Sequence, residues 1–152
     1  MKLKLVIALG AAACMAAPVQ AAAPARNAAA KAAAAEIPPP PPGMGQVVFY
    51  RSSKMGMLIS CKVHENGQAV SSLPPGKYFV HAAAPGVHEF TVKSEAKDTL
   101  RLEVEEGETQ YARCAIGMGI GVGRPNLSLQ SREDFDKRGK KLKLYKSKKN
   151  KD

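Results

Sequence analysis

The stretch "TLRLEVEEGETQYARCAI", residues 99–116, decides the architecture. Leu100, Leu102 and Val104 alternate with Arg101, Glu103 and Glu105. Gly107 then punctuates the chain, and Ala112, Cys114 and Ile116 share a face on the far side of the turn. A period of two is that of a strand, whose successive side chains point to opposite sides of a sheet.

The same grammar extends in both directions. Upstream, "VHEFTVKS" sets His88, Phe90 and Val92 against Glu89, Thr91 and Lys93. Before it stand "QVVFY", "MLISCKVH", an "ENG" turn with Gly67, "QAVSSL" ending at Pro74-Pro75-Gly76, and "KYFVHAA" ending at Pro85-Gly86. Downstream, "NLSLQ" offers one more short strand. Alternation broken by Gly and Pro at intervals of about ten residues predicts an all-β chain. The expected fold is a small antiparallel β-sandwich of about seven or eight strands. A short C-terminal helix is expected over "SREDFDKRGKKL". Ser131 is its N-cap, Glu133 and Asp134 suit the positive end of its dipole, and Phe135 and Leu142 lie two turns apart to dock on the body.

Residues 115–124, "AIGMGIGVGR", raise the question of a phosphate-binding loop. Such a loop needs two glycines five apart, then Lys and Ser/Thr opening a helix. Here Arg124-Pro125-Asn126 follow, and Pro125 biases Arg124 away from helix. The alternation instead predicts that the strand carrying Cys114 continues, with Ile116, Met118, Ile120 and Val122 on one face. The other face, Gly117 to Gly123, would be bare and open to a protein partner.

The N-terminus reads as a targeting segment. Lys2 and Lys4 precede an apolar run from Leu5 to Ala13, and Val19-Gln20-Ala21 forms a small-residue cleavage pattern. That order predicts a signal peptide over residues 1–21, cleaved after Ala21. The apolar run falls short of the roughly 20 residues of a membrane-spanning helix, and no later segment reaches that length. The expected location is periplasmic or extracellular. The alternative is a lipoprotein anchored at Cys14, although Ala11 stands where such signals usually carry Leu. Export lets Cys61 and Cys114 meet across the core as a disulfide; two buried free thiols is the other reading.

Residues 22–43 form an Ala/Pro-rich linker, with an unbroken proline run from Pro38 to Pro42. The β-domain spans 44–136, with ten Lys/Arg against eleven Asp/Glu. The basic tail, 137–152, holds nine Lys/Arg against one acid, so the formal net charge of +10 belongs mainly to the tail.

"GQVVFYR", "VHENGQAV", "LPPGKYFV" and "PGVHEF" resemble a bacterial family of exported or lipoprotein domains of unknown function, over roughly residues 45–145. Gly76, Tyr78, Pro85, Gly86 and His88 are similar to the turn residues of PEGA-type β-modules. The resemblance implies a β-sandwich outside the cytoplasm and supplies no catalytic residues.

No chemistry-bearing constellation stands out. The sequence contains no nucleophile elbow and no HExxH. Glu103, Glu105, Glu106 and Glu108 read as a solvated hairpin edge. His64, His81 and His88 lack ligand spacing along a strand, and His88, beside Phe90, reads as structural. The chain is therefore expected to be noncatalytic, with no cofactor or metal: an exported, envelope-associated binding or structural module. Lys140, Lys141, Lys143, Lys146, Lys148, Lys149 and Lys151 are its candidate anion-binding residues. Their target would be an anionic envelope polymer or membrane surface, with nucleic acid as the alternative.

Overall fold

The computed structural model describes residues 35–93, 97–118 and 123–146. The signal segment with Cys14 and Ala21, most of the linker, and Lys148, Lys149 and Lys151 lie outside them. Among the described residues there are nine strands and one helix. The strands are β1 (Gly45–Arg51), β2 (Cys61–Glu65), β3 (Gln68–Leu73), β4 (Lys77–Ala83), β5 (Gly86–Lys93), β6 (Lys97–Val104), β7 (Thr109–Gly117), β8 (Arg124–Gln130) and β9 (Lys143–Leu144). The helix α1 (Arg132–Gly139) lies between β8 and β9.

The strands form two sheets, ordered β8-β7-β1-β4-β9 and β3-β2-β5-β6. Most pairs are antiparallel, as the alternation predicts, but β1–β7 and β4–β9 are parallel. The exception follows from the path of the chain. β4 takes one edge of β1 antiparallel; the β5–β6 hairpin then builds the second sheet, and β7 re-enters the first sheet in the direction of β1.

Two apolar layers explain the burial. Between the sheets lie Val47, Phe49, Cys61, Val63, Phe79, Phe90, Leu102 and Cys114, among others. On the outer face of the first sheet, Val48, Tyr50, Tyr78 and Tyr111 surround Phe135 of α1. β1 is thus buried on both faces over its whole length, which is why "QVVFY" runs unbroken where other strands alternate. Ser131 caps α1, accepting a hydrogen bond from Asp134 N at 3.3 Å. Phe135 is fully buried, worth about 1.5–3 kcal/mol by transfer. The N-terminal arm joins the same layer. Ala35 and Ile37 pack on it, and Gln46 Nε2 donates to Pro38 O at 2.7 Å, so the proline run begins seated on the domain.

Cys61 and Cys114 are bridged, with Cα atoms 6.6 Å apart, joining the two sheets through the core. A crosslink between residues 53 apart stabilises by ~4 kcal/mol in the chain-entropy model.

The glycine stretch differs from expectation. β7 ends at Gly117, which pairs with Arg124 of β8, so the chain reverses instead of continuing as one strand. Met118 is 92% exposed and does not join Ile116 in the core. Residues 119–122, with Ile120 and Val122, lie outside the described residues. Gly123 serves a close approach: a Cβ there would stand 2.5 Å from Ile116 Cγ2 and 3.0 Å from Ile59 Cδ1.

Candidate functional site

Glu65 closes β2 immediately before the Asn66-Gly67 turn, and two histidines converge on it. His88 comes from β5 of the same sheet, and His81 from β4 of the opposite one. Inward phase places His81 with Phe79 and Ala83, so its ring reaches across the sandwich. Its Nε2 donates to Glu65 Oε2 at 2.8 Å. His88 Nδ1 donates to Glu65 Oε1 at 2.5 Å, and its Nε2 faces Ala84 O at 2.7 Å. Both ring nitrogens of His88 therefore face oxygen atoms, one a carboxylate and one a backbone carbonyl. Phe90 supports the pair, stacked on His88 and edge-on to His81.

Burial pushes the Glu65 carboxyl up, but the hydrogen bonds from His88 and His81 outweigh it and hold the group below the usual carboxylate range. The arrangement is a charge-assisted clamp across the two sheets. Among the described residues, no group of three or more His, Cys, Asp or Glu is placed to hold a metal ion. His64 stands apart from the clamp, with Nδ1 3.2 Å from Lys62 O.

Beside His81 opens a cleft of about 420 Å³. Tyr78, Phe79 and Val80 of β4 form its floor. Val70 and Ser71 of β3 make one wall, and Glu36, Pro38, Leu144, Tyr145 and Lys146 make the other. The two chain arms thus converge on one apolar trough with a polar rim.

The lysine tail is in part structured. Leu142 packs on the outer aromatic layer, Lys143 pairs with Lys77, and Leu144 pairs with Tyr78. Tyr145 N donates to Tyr78 O at 2.7 Å. The edge drawn at Asp136 therefore falls inside α1. Lys140, Lys141, Lys143 and Lys146 are exposed, and Lys146 lies on the cleft rim. At the far hairpin, Glu103, Glu105 and Glu106 are exposed, while Glu108 Oε2 accepts from Glu105 N at 2.9 Å.

Sequence reasoning reached His81 and His88 singly and missed Glu65, a lone acid at a turn. The available signal was positional: Glu65, His81 and His88 all stand near strand ends that an antiparallel fold brings to one end of the sandwich.

With this geometry in place, comparison with known families adds one result. The family described as "Protein of unknown function (DUF2846)" matches residues 41–124, more than half of the chain. The chain belongs to this DUF2846 family. No curated protein and no solved structure shows a significant match to it. The matched span runs from the proline run through β7 to the first residue of β8, and so includes the clamp and both cysteines.

Proposed function

We propose that the protein is a noncatalytic, exported module of the cell envelope that works by binding. The observation that carries this reading is the Cys61–Cys114 bridge, since a core disulfide of this kind belongs to an oxidising compartment. The basic n-region, apolar run and small-residue pattern ending at Ala21 support the same address. Both Glu65 oxygens are engaged by the histidines, and His88 also meets a carbonyl, which suits a structural clamp better than acid–base work.

The ligand class that fits is anionic. Lys140, Lys141, Lys143 and Lys146 stand exposed along one side of the domain, and an envelope polymer or acidic headgroup surface would meet them. Nucleic acid is the second anion of this class and fits an exported protein less well.

Fractionation of expressing cells, with mass measurement of the unreduced, alkylated chain, tests the reading. The expected product lies outside the cytoplasm, begins after Ala21 and carries no label on Cys61 or Cys114. A cytoplasmic chain with both thiols labelled would overturn it.

A further inference from the structure

We infer that the end of the sandwich opposite the Glu65 clamp is a tip that inserts into an anionic lipid surface. The proposal deepens the envelope reading, resting on it only for the compartment.

The tip is built from two connections, the β1–β2 loop (residues 52–60) and the base of the β7–β8 hairpin. Met55, Met57, Leu58 and Met118 are 57%, 68%, 101% and 92% exposed. The two connections touch. A Cβ on Gly56, itself at φ +63°, would stand 2.9 Å from Ile116 Cγ2, and Gly123 meets the same Ile116 and Ile59. Four large apolar side chains thus project from one end of a small domain, beyond the scattered single residues that a soluble surface normally shows.

The loop beneath them is held by a buried cation. Arg51, fully buried at the end of β1, donates to Met55 O at 2.7 Å, to Gly56 O at 2.8 Å and to Ile59 O. Ile59 N closes the turn on Gly56 O at 2.9 Å. Three loop carbonyls, those of Met55, Gly56 and Ile59, are therefore satisfied from inside, while the apolar side chains of Met55, Met57 and Leu58 stand exposed. Each carbonyl paired from within lowers the cost of bringing this loop to the boundary of headgroups and acyl chains, where its side chains can enter.

Charge fixes the partner. Strand direction brings Lys54, Lys62, Lys93, Lys97 and Arg124 to this end, all exposed. Lys97 lies 3.8 Å from Glu89, and Asp98 accepts from Leu127 N; Glu95 lies outside the described residues. The opposite end carries Glu65, Glu103, Glu105, Glu106 and Glu108. An anionic surface therefore draws the apolar tip in and turns the acidic end away. Methionine and leucine suit a fluid medium that closes round a projecting tip.

The test uses vesicles of phosphatidylglycerol with phosphatidylcholine, and vesicles of phosphatidylcholine alone, with the protein as recovered from expressing cells. The chain has no tryptophan, so Met57→Trp gives a single reporter. Its emission should shift to the blue on anionic vesicles and be quenched by lipids brominated in the acyl chain. The double variant Met57→Asp, Leu58→Asp alters only exposed side chains and should partition about tenfold more weakly or worse. Replacing the seven lysines from Lys140 to Lys151 by Gln separates the tail from the tip and should leave the reporter shift in place. Bound protein with an unshifted reporter, or binding lost with the tail and kept by the double variant, would overturn the tip. So would failure to bind either vesicle. A normal thermal melt of each variant guards against misfolding as the cause.

Discussion

The two ends of the sandwich solve the same problem in opposite ways. Each must hold together the two sheets where the strands stop. One end does it with a covalent bond near Gly117 and a buried arginine that gathers loop carbonyls. The other does it with a single carboxylate shared by histidines from both sheets. The first leaves Met55, Met57, Leu58 and Met118 outward; the second turns Glu65, His81 and His88 on one another. The difference shows that a small domain can fix both ends and still leave one free to make contacts.

The comparison can be broken at several points. Removing the bridge with Cys61→Ser and Cys114→Ser should cost the most, ~4 kcal/mol in chemical denaturation. A loss under about 1 kcal/mol would mean that the sheets are held mainly by packing at both ends. Arg51→Met should follow at about 3 kcal/mol, because three carbonyls lose a charged donor. It should also open residues 52–60 to protease while leaving the far end protected.

Glu65→Gln should cost less, about 1–2 kcal/mol near neutrality, and its effect should depend on pH. The Glu65 carboxyl is held below its ordinary value in the fold, so its contribution is present above the unfolded value. It is lost as pH falls through the lower folded one. The stability difference between wild type and variant should therefore shrink in acid; a constant difference from neutrality into acid would argue against the clamp. Ser131→Ala alters neither the bridge, the arginine nor the clamp and removes only the cap of α1, for about 1 kcal/mol, which sets the scale for the other three.

Much of the fold was legible because strand periodicity is local. Leu102 and Val104, and Cys114 and Ile116, face the core as their alternation predicts, and Ser131 and Phe135 act as the cap and anchor of the helix. The parallel β1–β7 pairing was not legible, since direction within a sheet depends on the path between strands and not on any one strand. The glycine run misled for a related reason: alternation predicts a strand but does not say where it turns. Arg51 and Glu65 were hidden for another reason. An arginine at a strand end and a glutamate at a turn are ordinary surface residues until tertiary packing buries one and hands the other two donors.

The last consequence lies in the cleft, where the two arms of the chain come together. Residues 36–38 and 144–146 leave the domain side by side on the same flank. A pull applied between them would not stretch the sandwich along its strands. It would first peel the two-residue β9 from β4 and lift Pro38 from Gln46, leaving the bridged sheets untouched. The domain is hung so that tension is spent on its straps before it reaches its frame.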